Sequence, residues 1–339
     1  MNVLRHHQLM SGILLGAALI VPLGVGALVP TAPTPAIDPA VQEELTEIIV
    51  QTTEPKYAAP TRRDRIGRIW APVLIDGKGP YRMVLDTGAN HSAITERTAQ
   101  LMAMSTSGQA VVEKSSTRVT GFTGSMIVPT VHVNHMEVGE LYLGETNLPV
   151  LADVFGGAQG VLGIEGLFDK RIVADFGADK LTITKSHGEP APRGFETVGL
   201  RALNGLLVAD VYVGHVKAKA IIDTGAQGTV GNLKLRDAIS RQHPRNVQQQ
   251  EIMGVTLDVQ SGDWLQAPDV DFGKLLLRGI HITFGDMYLF QHWNMTDEPA
   301  LTIGMDMLGS FDVLIIDYTR HEMQIRPRPF SPFDRDRDR

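Results

Sequence analysis

Two stretches of this 339-residue chain carry the same four residues, Asp86-Thr87-Gly88-Ala89 and Asp223-Thr224-Gly225-Ala226. Each follows an apolar run, Met83-Val84-Leu85 and Ala220-Ile221-Ile222. A glycine two positions after an aspartate allows a tight turn that brings backbone N–H groups to the carboxylate. A carboxylate held by such hydrogen bonds is fixed in place and kept ionisable. The threonine hydroxyl can donate to a carbonyl and pin the loop. One copy is ordinary turn chemistry. Two copies allow a pair of carboxylates to share one water. Two acids that close share a proton, so one acts as base on the water while the other donates. Hydrolysis by this route requires neither metal nor cofactor, and the sequence calls for none.

The elements that must position these loops recur with them. Ile69–Ile75 and Tyr81–Leu85 read as strands flanking the turn Asp76-Gly77-Lys78-Gly79. About 137 residues later, Gly205–Val213 and Lys217–Ile222 flank Gly214-His215. Thr120-Gly121-Phe122 parallels Met253-Gly254-Val255. Leu162-Gly163-Ile164-Glu165-Gly166-Leu167 parallels Ile303-Gly304-Met305-Asp306-Met307-Leu308. Ile172–Asp175 parallels Leu314–Asp317, and each leads into a last strand. This is an internal duplication of about 120–130 residues per copy, a domain-sized unit. Helices are predicted over Ser92–Met104, in Val41–Gln51, and briefly after Gly163 and Gly304. The remainder reads as strands, in two β-rich lobes.

The duplicated motifs resemble those of aspartic proteases of the pepsin and retropepsin clan, most closely the single-chain, duplicated, retropepsin-like bacterial type. The similarity covers about residues 66–326. It rests on Asp-Thr-Gly-Ala plus a later hydrophobic-hydrophobic-Gly, Val161-Leu162-Gly163 in the first half and, with Thr in place of one apolar residue, Thr302-Ile303-Gly304 in the second. The resemblance implies an all-β bilobal fold with the active-site cleft between lobes. It implies an endopeptidase in which Asp86 and Asp223 are catalytic. Thr87 and Thr224 would interlock across the lobes, with Gly88, Ala89, Gly225 and Ala226 completing the loops. Gly121, Phe122 and Gly254 are the flap candidates. Pepsin-like enzymes follow Asp-Thr-Gly with Ser or Thr. Alanine at both positions here predicts more equivalent carboxylates and a pH optimum less acidic than that of gastric-type enzymes. The competing class is a non-catalytic peptide-binding module of the cell envelope using the same cleft.

Composition sets the outer limits. Hydrophobic content of 43% and charged content of 20% are those of a globular protein. A net charge of -7 gives no basic footprint for nucleic acid. With no cysteine there is no disulfide and no thiolate chemistry. Arg5 followed by an uncharged run from Leu9 to Val29 reads as a secretory signal, or an uncleaved anchor. The expected organisation is a signal or anchor at 1–36 and a linker or pro-segment at 37–64. An N-terminal lobe at 65–186, a connector at 187–199 and a C-terminal lobe at 200–327 follow, with a disordered tail at 328–339. The expected location is periplasmic or secreted. The expected partner is a polypeptide substrate, with both aspartates in one chain, so that a monomer suffices.

Overall fold

The computed structural model describes residues 47–49, 54–55, 69–105, 115–139, 141–178, 180–203, 205–239 and 247–328. The predicted leader, most of the 37–64 segment and nearly all of the tail lie outside them. The described chain is mostly strand, arranged as two large curled sheets and a smaller third.

The duplication is visible strand by strand. In the first sheet the spatial order is Ser116–Thr120, Ser125–Val133, Thr146–Leu151, Ala93–Thr95, Gly160–Leu162, Lys78–Leu85, Trp70–Ile75, Met136–Val138 and Leu141–Leu143. In the second it is Gln248–Met253, Val259–Gln266, His281–Phe284, Val230–Gly231, Ala300–Ile303, Val216–Ile222, Leu206–Val213, Val270–Asp271 and Leu276–Leu277. The sense of pairing also repeats. The strand before each Asp runs parallel to the strand of its hydrophobic-hydrophobic-Gly, with Leu85 opposite Leu162 and Ile222 opposite Ile303.

Local sequence explains the main joints. Asp76 and Gly77 both adopt positive φ, 50° and 71°, as a two-residue hairpin turn compatible with strand twist requires. Alternate residues of each motif strand serve different cores. Met83, Leu85, Ala220 and Ile222 enter one large shared cluster. Val84 enters a smaller cluster of the first lobe, and Ile221 its counterpart in the second.

The third sheet joins the two halves. Its order is Lys180–Lys185, Lys170–Asp175, Phe311–Asp317, Glu322–Pro327 and Glu196–Gly199. The repeated segments noted in the sequence pair with each other here, Ile172 opposite Ile316 and Ala174 opposite Leu314. A buried polar cluster ties the same strands. Arg171 donates to Asp317 at 2.7 Å and to Gln324 at 2.8 Å, and Ser186 Oγ donates to Asp317 at 2.8 Å.

Local expectations change in several places, and two helices form in stretches read as strands, Leu233–Ile239 and Tyr288–His292. Within the predicted Val41–Gln51 helix, Glu47–Ile49 is a strand, paired with Arg118–Thr120. The predicted Ser92–Met104 helix runs over Glu96–Ser105 instead, because Ala93–Thr95 is taken as a central strand between Thr146–Leu151 and Gly160–Leu162. After Gly304 a short helix forms over Met305–Leu308, whereas after Gly163 there is only a turn. Gly166, at φ 77°, breaks the helical path where the second copy has Met307.

Candidate active site

Each Asp loop is closed by its own turn. Asp86 Oδ1 accepts from Gly88 N at 2.8 Å. Asp223 Oδ1 accepts from Gly225 N and Ala226 N, both at 2.9 Å. The hydrophobic-hydrophobic-Gly strand braces each loop from behind. Asp86 N donates to Leu162 O at 2.9 Å and Asp223 N to Ile303 O at 3.1 Å. One step on, Ile164 N donates to Ala89 O and Met305 N to Ala226 O. Thr302 fills its place in this support as a fully buried residue whose Oγ1 has no hydrogen-bond partner.

The two loops are locked to one another by their threonines. Thr87 Oγ1 donates to Ile222 O at 2.7 Å and accepts from Thr224 N at 3.1 Å. Thr224 Oγ1 donates to Leu85 O at 2.7 Å and accepts from Thr87 N at 3.1 Å. All four bonds are buried and each crosses between the two copies of the duplication.

This lock brings the two carboxylates together. A Cβ placed on Gly225 would stand 2.2 Å from Asp86 Cγ, so only glycine permits the approach. Asp86 and Asp223 are both fully buried. Burial pushes the Asp223 carboxyl well above the usual range, and the neighbouring charge of Asp86 adds to it. One proton shared by the pair is the expected state at moderately acidic pH.

Two carboxylates behind the loops were not singled out from the sequence. Asp306 accepts from Thr229 N at 2.8 Å and Thr229 Oγ1 at 2.7 Å. Glu165 accepts from Ser92 N at 2.6 Å, and Ser92 Oγ in turn accepts from Gly163 N. Ser92 and Thr229 each lie six residues after an active-loop Asp, and Glu165 and Asp306 each lie two after the bracing Gly. The repeat alignment already held that signal. Burial raises both carboxyls above their ordinary range.

The flap candidates sit at two hairpin tips that cross. Gly121 and Phe122 cap the hairpin of Ser116–Thr120 and Ser125–Val133, and Gly254 caps that of Gln248–Met253 and Val259–Gln266. Phe122 is fully buried among second-lobe residues, including Val208, Ile221, Val230 and Ile252, and packs edge-on against Phe290 at 5.9 Å. Val255 is buried among first-lobe residues, including Val84, Ala89, Val119 and Phe155. Gly254 N donates to Thr123 Oγ1 at 3.1 Å, joining the tips directly. Beside the second loop lies a cavity of about 220 Å³, lined by Gln227, Thr229, Gln250, Ile252, Trp264 and His281 among others. Trp264 and His281 stack there at 4.3 Å.

Residues 71–168 match the family model described as "gag-polyprotein putative aspartyl protease". Among solved structures, an aspartic proteinase from Irpex lacteus aligns with 79% of this chain and 96% of its own, at 12% identity and a TM-score of 0.47. No curated protein matches the chain. The family match spans the first Asp loop and its brace, and the second half repeats both. Residues 71–168 are thus similar to an aspartyl-protease family, within a chain whose described residues are mostly β.

Proposed function

We propose that the protein is an aspartic endopeptidase that hydrolyses internal peptide bonds with a water activated between Asp86 and Asp223. The observation that carries this reading is the paired, fully buried carboxylates, brought together by Gly225 and the threonine lock. The ionised partner takes a proton from the water as it attacks the carbonyl carbon. The protonated partner polarises the carbonyl oxygen, and a proton then passes to the leaving amine. The backbone amides of Gly88, Gly225 and Ala226 hold the carboxylates in the geometry this requires. Alanine after both Asp-Thr-Gly motifs supports a pH optimum less acidic than that of gastric-type enzymes. Catalysis belongs to one chain, because both aspartates do. The apolar run near the N-terminus supports export to the periplasm or beyond.

The test is to incubate the protein with a mixed peptide library beside Asp86→Asn and Asp223→Asn. Each variant is expected to lose roughly 10³-fold or more in turnover, on the scale of losing a positioned acid or base. A statine-type inhibitor is expected to block the parent. Cleavage persisting in both variants overturns the reading. Tight peptide binding with no cleavage by the parent assigns the cleft to the binding-module class instead.

A further inference from the structure

The duplication allows the two sides of the dyad to be compared position by position, and they are not alike. The offset that relates the two aspartates equates His91 with Gly228, and Ser92 with Thr229. The strand registers extend the match. Ile94 faces Val150 in the first lobe and Gly231 faces Phe284 in the second, which equates Asn147 with His281. Thr130 faces Pro149 and Trp264 faces Thr283, which equates Thr130 with Trp264. In the first lobe the space beside these positions is filled by the His91 ring. Its Nε2 stands 3.3 Å from both Asn147 O and Thr146 Oγ1, and its Nδ1 3.8 Å from Glu165 Oε1. In the second lobe the same space is the 220 Å³ cavity, lined by Gly228, His281 and Asp306. Gly228 has no side chain to cross it, and a Cβ built there would meet nothing within 4 Å. Much of the polar lining is already paired. Asp306 accepts from Thr229 N, Thr229 Oγ1 and Met307 N, and Gln250 Oε1 accepts from Thr283 Oγ1. The faces left are the Trp264–His281 stack, 12° from coplanar, with Val230 and Ile252. A flat aromatic side chain can stack on such rings without a polar partner of its own.

We propose that this cavity is a one-sided pocket for an aromatic side chain, opened by Gly228, and that His91 closes its counterpart across the dyad. This rests on the endopeptidase reading and gives it a substrate class. The preferred segment carries Phe, Tyr or Trp at one fixed distance from the cut, on the second-lobe side alone. The two loops are equal through Asp-Thr-Gly-Ala and unequal two residues further on, so chemistry is shared between the lobes while selection is not.

Gly228→His copies the first-lobe residue into the second lobe of the full chain. Gly228 does not adopt a positive φ, so its backbone accepts a side chain. Sequencing the cuts made in a mixed peptide library is expected to show one aromatic-enriched position for the parent. The kcat/KM of a peptide with Phe there, relative to the same peptide with Ala, is expected to fall about tenfold or more in Gly228→His. That is the scale of burying one aromatic side chain. Gly228→Ala adds one methyl to open space and is expected to keep most of the preference, which separates filling from a backbone effect. His91→Gly, and the milder His91→Ala, are expected to add a second aromatic-enriched position on the other side of the cut. A parent without aromatic preference, or a Gly228→His variant that retains it, overturns the pocket. His91 variants that gain no second position overturn the closure. If no form cleaves any peptide, the endopeptidase reading fails by itself and binding decides the pocket. The Phe peptide is then expected to shift tryptophan fluorescence through Trp264 in the parent, with affinity about tenfold weaker in Gly228→His, and the Ala peptide to bind both alike. Equal affinity of the parent for the two peptides overturns the pocket in that case.

Discussion

At the residue scale the dyad is a source of instability that the rest of the loop must offset. Burial and the nearby Asp86 charge raise the Asp223 carboxyl above its unfolded value. The folded state therefore holds the proton more tightly than the unfolded state. This contribution to stability is fully present below the unfolded value of about 3.9 and is lost as pH rises through the folded one. Asp223→Asn removes that dependence. Urea unfolding is expected to show the variant more stable than the parent at neutral pH, with the gap closing below about pH 4. A gap that widens on acidification would contradict the proton assignment. The threonine lock supplies stability in the opposite sense. Thr224→Val deletes a hydroxyl that both donates to Leu85 O and accepts from Thr87 N, leaving two buried backbone groups unpaired. At about 1–3 kcal/mol for each group, the loss is expected to be several times that of Thr224→Ser, which retains both bonds.

At the element scale, the strands that carry the motifs were legible because their signals are local. Met83-Val84-Leu85 before Asp86 and Ala220-Ile221-Ile222 before Asp223 are short apolar runs ending at a glycine turn, and the repeat confirmed each copy with the other. Glu47–Ile49 was not legible. Glu43, Glu44 and Glu47 among the Val, Leu and Ile of 41–51 suit a helix, but the edge of Arg118–Thr120 offers backbone partners that outweigh a weak helical preference. The crossing of the flap tips was hidden for a related reason. Phe122 reads as a hairpin-tip residue from sequence alone, and nothing local says that its pocket belongs to the other lobe. That crossing has a measurable consequence. Phe122→Ala empties a fully buried site shared by Val208, Val230, Ile252 and Phe290. Because these contacts join a hairpin tip to a separate body, the loss is expected to appear mainly as local opening. Hydrogen exchange should speed at residues 121–124 and 253–256, with a smaller change in the sheet strands Lys78–Leu85 and Val216–Ile222. Uniform acceleration throughout the molecule would show that Phe122 is part of the global core instead.

At the scale of the whole molecule, two sequence copies are joined through contacts that no single copy contains. The threonine lock, the large shared core and the third sheet each draw on both halves. The third sheet carries the most concentrated polar link, Arg171 with Asp317, Gln324 and Ser186. Desolvation alone would raise the Asp317 carboxyl, but hydrogen bonds from Ser186 and Arg171 outweigh it and hold Asp317 below its usual range. Its stabilisation is therefore present above the unfolded value and lost as pH falls through the folded one, opposite in sign to Asp223. The two groups bound the stable range from either side, Asp317 from the acid limb and Asp223 from the neutral limb. Arg171→Leu leaves the fully buried Asp317 charge without its cation, a change that typically costs about 3–5 kcal/mol. Since Arg171 lies in the first copy and Asp317 in the second, the variant should lower the melting temperature of the entire body in one transition. Calorimetry that resolves two transitions, with only the lower one moved, would show instead that the halves fold independently and that the third sheet is not what couples them.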